Sequence, residues 1–203
     1  MNIDQNMIKE IENAPIGTFK VWEPKKTVIV LGRSSKENDD IHLNEARKNN
    51  IEILKRAGGG GTVVLSKGML VISLAKRVSN NFDNSSYFKM INKLIINCLR
   101  SMDVKGLNEK GLSDICINDR KVLGCSLFRK LNLLFYQASL IINSELDIID
   151  RYLKHPKREP DYRKSREHKD FLTSLKMAGY DLSVNEIKDR MERAINADLC
   201  SIN

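Results

Sequence analysis

Short apolar runs bounded by turn-forming residues make up the first part of the chain. Runs of this kind that are rich in β-branched side chains predict strands. Before residue 75 we predict strands at five such runs: Thr18–Trp22, 27–31, 51–55, 62–65 and 69–74. We expect the last two to pair as a hairpin across Ser66-Lys67-Gly68. A polar loop over 34–40 and a short helix over 41–50 complete this part.

Apolar residues at helical spacing follow a predicted turn and helix start at 81–86. They predict an amphipathic helix of about twenty residues. Its apolar face consists of Tyr87, Ile91, Leu94, Ile95, Cys98 and Met102. After a loop over 104–112, the runs Asp114–Ile117 and 120–124 predict a hairpin around the polar turn Asn118-Asp119. A further strand is expected within 131–143, and Ser144 is expected to cap a helix over 145–154.

A last helix is predicted over 183–199. Ser183 and Glu186 have the spacing of a capping box, in which each side chain binds the other residue's backbone N–H. One apolar stripe runs along this helix: Val184, Ile187, Met191, Ile195 and Leu199. Strand hairpins with a few helices indicate an α+β fold with a mixed, largely antiparallel sheet flanked by helices. We expect residues 1–203 to form one domain.

The composition is that of an ordinary globular protein, with 41% hydrophobic and 30% charged residues among 203. No apolar run reaches the ~20 residues of a membrane span. The polar N-terminus lacks a signal-peptide pattern, so we expect a cytoplasmic protein without a membrane partner. The net charge of +8 permits nucleic acid, an anionic ligand or an acidic protein as partner. Four cysteines without paired spacing and three dispersed histidines predict neither disulfides nor a metal site.

A glycine run is the most unusual stretch of the chain. Two cations precede it and β-branched residues follow it: Lys55, Arg56, Ala57, Gly58, Gly59, Gly60, Gly61, Thr62, Val63 and Val64. Consecutive glycines are retained where the backbone needs positive φ or where another group leaves no room for a Cβ. Amides exposed in a turn also form a concavity that binds anions. We therefore favour a phosphate or activated-carboxylate site over a flexible hairpin, although neither a Walker loop nor a GxGxxG helix start is present.

Two other basic features have alternative interpretations. Lys121 follows the predicted turn and precedes Gly124, so it either reaches into a cleft or, as its position alone favours, faces solvent. The basic loop over 151–169 holds eight Lys or Arg residues against three Asp or Glu. It is interpreted as an ordered, exposed loop that is either solvated surface or a docking site for an acidic partner. Nucleic-acid binding is the weaker interpretation, because no recognised motif accompanies the charges.

Four blocks, in order and at similar spacing, resemble the lipoate–protein ligase family, which belongs with the biotin ligases and octanoyltransferases. The blocks are Trp22-Glu23-Pro24 with Val30-Leu31-Gly32-Arg33, the glycine run with its two cations, Ser113-Asp114 with Lys121-Val122-Leu123-Gly124, and the strand residues 139–143. The glycine block and the lysine block are fairly specific together, and each would be weak alone. The resemblance implies a biotin/lipoate ligase-like catalytic domain.

The resemblance also implies a role for each matching residue. The family's catalytic lysine corresponds to Lys121, its ATP-binding arginine to Arg56, and the preceding basic position to Lys55. Its Asn-Asp pair corresponds to Ser113-Asp114, so Asp114 is retained. Its loop around the adenylate and the acyl tail corresponds, with Gly58 beside it, to Gly59, Gly60, Gly61, Thr62, Val63 and Val64.

The implied activity is attachment of lipoate, through lipoyl-adenylate, to a lysine of a carrier protein, with ATP and Mg²⁺. The implied carrier is acidic, either a lipoyl domain or a glycine-cleavage H-like protein. Lys121 and the loop amides would stabilise the negative charge that develops on oxygen, and Mg²⁺ would share the charge of the triphosphate. The strand residues Val63-Val64 and Leu70-Val71-Ile72 are expected to line an apolar tunnel for the acyl tail.

Departures from the family pattern leave two alternatives open. Leu65-Ser66 stands where the family has His-Asp, and Gln137-Ala138-Ser139 stands where it has His-Gly-Thr. The C-terminal accessory domain of long ligases is not matched. One alternative is lipoyl or octanoyl transfer without ATP, which relies on a cysteine nucleophile, yet Cys116 and Cys125 are interpreted as packed side chains. The other is a non-catalytic adenylate- or lipoate-binding subunit of a two-protein ligase, with a separate accessory subunit.

Overall fold

The computed structural model describes residues 7, 10–11, 17–78, 83–199 and 202. Its strands are β1 (Thr18–Trp22), β2 (Val28–Leu31), β3 (Glu52–Lys55), β4 (Val63–Leu65), β5 (Met69–Arg77), β6 (Leu107–Lys110), β7 (Asp114–Ile117), β8 (Arg120–Lys130) and β9 (Leu133–Ile141). Its helices are α1 (Glu37–Asp40), α2 (Leu43–Lys48), α3 (Asn84–Arg100), α4 (Asp147–Tyr152), α5 (His168–Phe171) and α6 (Val184–Asp198), with a 3-10 turn at Asp161–Arg163.

The strands form two sheets. The larger is antiparallel throughout, in the order β1-β5-β9-β8-β7-β6. In the smaller, of order β3-β2-β4, β2 pairs parallel with β3 and antiparallel with β4. The predicted α+β class with a mixed, largely antiparallel sheet flanked by helices is confirmed. The predicted hairpin at Asn118-Asp119 is also confirmed, since β7 pairs with β8 there.

Each sheet has its own apolar core. Helices α3 and α6 pack on the larger sheet through buried residues such as Ile91, Ile95 and Met191. Ser183 caps α6 as predicted, because its hydroxyl accepts a hydrogen bond from the Glu186 N–H at 3.1 Å. A second cluster joins the smaller sheet to α4 and α5 through buried residues that include Ile29.

The predicted hairpin between 62–65 and 69–74 is wrong. β4 pairs with β2, whereas β5 pairs with β1 and β9, so the chain crosses from one sheet to the other. The connecting turn satisfies its polar groups over long range. The Gly68 carbonyl accepts hydrogen bonds from the backbone N–H groups of Ile142 and Asn143 at 3.0 and 3.1 Å. Ser66 lies 2.8 Å from the Ser144 hydroxyl, so Ser144 supports this turn instead of capping α4.

Two predicted loops contain regular structure. The stretch 104–112 includes the edge strand β6, in which only Leu107 is buried. Its sequence therefore lacks the alternation of apolar and polar residues that predicts a strand. The stretch 34–40 includes α1, which buries no residue. Helix α3 begins one residue after Asp83, whose carboxylate accepts from the Ser86 N–H. Positions 81–82 of the predicted helix start lie outside the described residues.

The end of β2 and the glycine run are in direct contact. The Arg33 N–H donates to the Gly58 carbonyl at 2.9 Å, and the Arg56 N–H donates to the Leu31 carbonyl at 3.0 Å. A Cβ on Gly32 would lie 1.9 Å from the Gly60 carbonyl oxygen. Gly60 itself has φ of +87°, which L side chains rarely adopt. The loop therefore lies against β2 in a contact that requires glycine at position 32, and the positive φ at position 60 favours glycine there.

No helix in the described part of the chain combines the length and the apolar character needed to cross a membrane.

A pair of leucine substitutions tests the position of the main core. Leu70 in β5 is fully buried, whereas Leu131 is 79% exposed. We expect Leu70→Ala to lower the free energy of unfolding by about 2–5 kcal/mol because it leaves a cavity. Leu131→Ala, the same chemical change, should alter it by no more than about 0.5 kcal/mol. Urea unfolding followed by circular dichroism measures both, and equal losses would contradict the core described above.

Two glycine substitutions test the contact between β2 and the glycine run. Gly32→Ala should destabilise the protein by about 1–3 kcal/mol or more, because its Cβ would overlap the Gly60 carbonyl. Gly59→Ala is the matched control, since a Cβ there meets nothing within 4 Å. Thermal unfolding of the two variants should therefore separate them clearly. A Gly32→Ala protein as stable as Gly59→Ala would show that the loop does not need this contact.

Candidate active site

A cavity of about 850 Å³ lies between the smaller sheet, the β7–β8 hairpin and the basic loop. One part of its wall is aliphatic: Val30, Val63, Val64, Leu65, Met69, Val71, Ala138 and Ile141. Another part is polar or charged, and includes Arg56, Lys121 and Asp114. A ligand with an apolar chain and an anionic head matches this division.

The apolar tunnel uses alternate residues of β5. Val71 and Met69 face the cavity, whereas Leu70 and Ile72 lie in the main core. The expectation that Leu70 and Ile72 line the tunnel is therefore wrong, because neighbouring residues of a strand point to opposite faces. Val63 and Val64 of β4 do line it.

Lys121 forms an ion pair with Asp114 on the cavity wall. Its Nζ lies 2.7 Å from Asp114 Oδ1, and the Asp114 side chain is only 8% exposed. The other carboxylate oxygen, Oδ2, accepts a hydrogen bond from the Tyr162 hydroxyl at 2.7 Å. Lys121 lies on β8 and Asp114 on β7. The antiparallel β7–β8 hairpin, whose register shifts near Cys116, brings the two side chains together. Lys121 thus faces the cavity and not open solvent.

Gly124 provides the space that the Lys121 side chain occupies. A Cβ at position 124 would lie 2.7 Å from both Cε and Nζ of Lys121. The lysine therefore folds back across its own strand over the glycine. This contact gives a physical reason for a glycine three residues after the lysine in the sequence block.

Arg56 organises the glycine run from inside. It is largely buried, and its Nη2 donates to the Gly59 and Gly61 carbonyls at 2.8 and 2.7 Å. Its Nη1 donates to the Val30 carbonyl at 3.3 Å. The guanidinium group thus ties down carbonyl oxygens that would otherwise repel an anion, and it leaves a net positive charge beside the loop.

The glycine run contributes unevenly to the cavity. Gly60, Gly61 and Thr62 line it, and the Thr62 hydroxyl donates to Asp40 Oδ2 at 2.5 Å. Gly58 lies behind the wall, where a Cβ would come within 2.8 Å of the Ser126 hydroxyl oxygen. Gly59 and the exposed Lys55 do not line the cavity.

The structure therefore brings most of the predicted site residues to one cavity and leaves three outside its wall. Those that line it are Arg56, Gly60, Gly61, Thr62, Val63, Val64, Asp114 and Lys121. Those that do not are Lys55, Gly58 and Gly59.

The basic loop, residues 151–169, supplies site residues that the sequence did not identify. Lys154, Lys157 and Arg158 line the same cavity as Lys121. The Lys157 Nζ pairs with Asp39 at 2.8 Å, and the Lys154 Nζ donates to the Asn38 carbonyl at 2.8 Å. The density of positive charge along the loop indicates anion binding from the sequence alone. The contact of the loop with α1 joins residues that are far apart in the chain, so the sequence pattern does not reveal it.

The basic loop is also less exposed than expected. It contains the 3-10 turn and the start of α5, and it buries Arg163 and His168. Burial lowers the pKa of His168, against the opposing effect of Asp150, whose Oδ1 lies 2.9 Å from its Nδ1. The prediction of an exposed loop is therefore wrong at these two positions and at Tyr152 and Leu153, which are buried as well.

All three histidines, which are dispersed in the sequence, line a second cavity of about 290 Å³. Asp150 and Glu167 line it too. Across the described ranges, however, no group of three or more His, Cys, Asp or Glu side chains is arranged to hold a metal ion.

The cysteine beside the site is poorly suited to nucleophilic attack. Cys125 lines the cavity, and its thiol donates to the Ser113 carbonyl at 2.8 Å. Burial raises the pKa of this thiol to about 12. Burial also raises the pKa of Cys116. Because the thiolate is the reactive form, both side chains are largely unreactive near neutral pH.

Comparison with known proteins identifies the family of the chain. The sequence model of a protein family, the lipoyl protein ligase A/B catalytic domain, matches residues 1–196. Lipoate-protein ligase A subunit 1 of Thermoplasma acidophilum is 24% identical over 183 residues, which are 84% of this chain and 68% of that protein. Octanoyltransferase LipM of Carboxydothermus hydrogenoformans is 24% identical over an alignment of 212 positions, which covers 93% of this chain and 77% of that protein.

Some relatives are much longer than the matched region. The chain is 27% identical over 127 residues to lipoate–protein ligase 1 of Staphylococcus aureus, and the match covers 62% of this chain but 38% of that protein.

Solved structures share the fold. A bipartite lipoate protein ligase from Thermoplasma acidophilum, studied with its E2 lipoyl domain, superposes with a TM-score of 0.80 at 19% identity, covering 98% of this chain and 81% of that one. Lipoate-protein ligase A bound with ATP superposes with a TM-score of 0.78 at 18% identity, covering 98% and 82%. With the family model matching nearly the whole sequence, the chain belongs to the lipoyl protein ligase A/B catalytic-domain family.

Proposed function

We propose that this chain is a single catalytic domain that attaches lipoate to a lysine of a carrier protein, with ATP as the activating substrate. The observation that carries the proposal is the position of Lys121, which lies on the wall of a cavity with an aliphatic part and the glycine run. Lipoate has an apolar chain and a carboxylate head, so it matches both parts. The ATP-bound ligase with the same fold supports the nucleotide assignment.

The proposed reaction has two steps. The lipoate carboxylate attacks the α-phosphorus of ATP, which forms lipoyl-adenylate and expels pyrophosphate. The amine of the carrier lysine then attacks the acyl carbonyl, loses a proton and expels AMP. Both steps place negative charge on oxygen atoms, and Lys121 and the amides of the glycine run would stabilise it by preorganised contacts.

The other residues of the cavity have complementary roles in this proposal. Lys154, Lys157 and Arg158 would contact the triphosphate. Mg²⁺ in such sites is held largely by phosphate oxygens and water, with few protein ligands, and the wall carboxylates Asp39 and Asp40 fit that mode of binding. When bound, the ion would reduce the charge repulsion within the triphosphate.

The proposed protein partner is an acidic lipoyl carrier domain or a glycine-cleavage H-like protein. The basic loop holds eight Lys or Arg residues against three Asp or Glu, and this excess of positive charge would attract such a partner and position its lysine. The Thermoplasma ligase, which has an E2 lipoyl domain as its counterpart in an archaeal lipoylation system, supports this assignment. Its description as bipartite also supports a separate accessory subunit as a second proposed partner.

Acyl transfer without ATP is the second candidate function. The similarity to octanoyltransferase LipM over 93% of the chain favours it. The raised thiol pKa of Cys125 opposes a cysteine-dependent form of it. A non-catalytic adenylate- or lipoate-binding subunit is the third candidate.

A reconstitution assay separates these candidates. The protein is mixed with a lipoyl carrier domain, lipoate and Mg·ATP, and the intact mass of the carrier is measured. We expect one lipoyl group per carrier and lipoate-dependent release of pyrophosphate. Product only after an accessory subunit is added would support the two-protein ligase, and product from an octanoyl-carrier thioester without ATP would support transfer. Neither lipoylation nor pyrophosphate release would contradict a stand-alone ligase.

Substitution of Lys121 tests the proposed mechanism. We expect Lys121→Ala to lower turnover at least about 100-fold, as for other preorganised charges at a developing oxyanion. Lys130→Ala is the matched control, because Lys130 is exposed at the other end of the same strand. The same mass assay and an unfolding curve should be recorded for each variant. Near-normal activity of folded Lys121→Ala would overturn the assignment of this lysine.

The pH dependence of thiol alkylation tests the cysteine-based alternative. With its pKa near 12, Cys125 should react with iodoacetamide at a rate that rises roughly tenfold per pH unit from pH 8 to 11, because only the thiolate reacts. In urea the rate should level off above its ordinary pKa of about 8.5. Peptide mass spectrometry reports the modified residue. A plateau below pH 9 in the folded protein would indicate an activated nucleophile and favour transfer.

A further inference from the structure

Both oxygens of the Asp114 carboxylate are engaged, and they are engaged by different parts of the chain. Oδ1 lies 2.7 Å from the Lys121 Nζ within the β7–β8 hairpin. Oδ2 accepts a hydrogen bond at 2.7 Å from Tyr162, which lies 48 residues further along the chain in the basic loop. The tyrosine therefore fixes the rotation of the carboxylate that holds Lys121.

Packing fixes the Tyr162 ring independently of its hydroxyl. Its centroid lies 5.3 Å from that of Phe171 in a tilted arrangement, and the Lys110 Nζ lies 5.8 Å from the ring centroid. Burial, together with the nearby Asp114 charge, raises the pKa of Tyr162. The hydroxyl consequently keeps its proton and acts as a donor to the carboxylate.

Tyr162 acts at a distance from the ligand. Asp114 and Lys121 line the cavity, but Tyr162 does not. The same part of the chain also holds the lysine backbone, because the Thr173 N–H donates to the Lys121 carbonyl at 2.8 Å. Two contacts from 162–173 thus converge on Lys121, one through its backbone and one through its ion-pair partner.

We propose that Tyr162 is a positioning residue, which orients Lys121 through Asp114 and so links the basic loop to the reacting centre. A carboxylate held at one oxygen only can rotate and present either oxygen to the lysine. Held at both, it confines Nζ to one position. Such confinement favours the reaction step rather than ligand binding. The significance of Lys121 for catalysis rests on the proposed function, whereas its confinement by Tyr162 does not.

Tyr162→Phe is the direct test, because it keeps the packed ring and removes the hydroxyl, which donates to Asp114 and accepts a weak contact from the Cys116 thiol at 3.6 Å. Tyr180→Phe is the matched control, since within the described part of the chain the Tyr180 hydroxyl binds the backbone of Lys105 and no site residue. We expect Tyr162→Phe to lower kcat for lipoylation about tenfold and to leave KM for ATP and lipoate unchanged. Tyr180→Phe should leave kcat unchanged. A Tyr162→Phe variant with unchanged kcat, or with only its KM values altered, would overturn the proposal.

A double-mutant cycle distinguishes positioning from general structural support. If Tyr162 acts through Asp114, Tyr162→Phe should have less than about a twofold effect in the Asp114→Asn background. Single-turnover measurement keeps the low rates accessible. The same tenfold loss in both backgrounds would mean that Tyr162 affects the site by another route and would contradict the proposal.

Chemical modification provides a readout that does not depend on activity. Acetylation of Lys121 by acetic anhydride, normalised to that of Lys130 in the same sample, should become several-fold faster in Tyr162→Phe. It should not change in Tyr180→Phe. Unchanged acetylation of Lys121 would refute the positioning role even if the protein catalyses no lipoylation. Conversely, faster acetylation in a chain that makes no product would support the role and count against the proposed function alone.

Discussion

A backbone contact between β2 and the glycine run determines where the cavity lies. Gly32 and Gly60 approach so closely that a Cβ on the first would overlap the carbonyl of the second. Arg56 holds the same loop through the Gly59 and Gly61 carbonyls. With its path fixed by these contacts, the loop can place Thr62, Val63 and Val64 on the cavity wall. The aliphatic part of the cavity and the loop that is proposed to bind an anionic group thereby meet within one short stretch of chain.

Two lysines of the cavity wall form ion pairs within the protein, and the two pairs differ in their exposure to solvent. Lys157 and Asp39 are 70% and 40% exposed, so their pair contributes little stability and can exchange for a phosphate at low cost. Lys121 and Asp114 are 25% and 8% exposed, and breaking such a pair would leave a carboxylate buried without its partner. Under the proposed function, a bound phosphate would therefore replace Asp39 as the partner of Lys157 in the basic loop. Lys121 would stay paired with Asp114 at a fixed place.

The sequence revealed the parts of the site that lie close together along the chain. Gly60 meets a backbone requirement and the Lys121–Gly124 spacing a steric one. Both requirements act over a few residues, so they produce a recognisable sequence pattern. Tyr162 and Lys157 belong to no such pattern, because their roles depend on contacts with Asp114 and Asp39 more than forty positions away. The failed hairpin after Leu65 has the same origin, since the turn is satisfied by residues 142–143. The edge strand β6 was missed because it buries too little to show a period.

Strand β5 connects the stability of the fold with the shape of the cavity. Leu70 and Ile72 face the helices of the main core, while Met69 and Val71 face the cavity. Because the two sets alternate along one strand, Met69 and Val71 can change without altering the main core, although both also pack in the smaller apolar clusters beside the cavity. Under the proposed function, the residues of the second set would set the length and shape of the acyl chain that the cavity accepts. The polar residues of the neighbouring strands, such as Ser126 and Ser139, add hydrogen-bonding groups to the same wall. Under the proposed function, a tunnel built in this way would discriminate among acyl tails by size and polarity, whereas Lys121 and the glycine run would act on the carboxyl head that every candidate substrate shares.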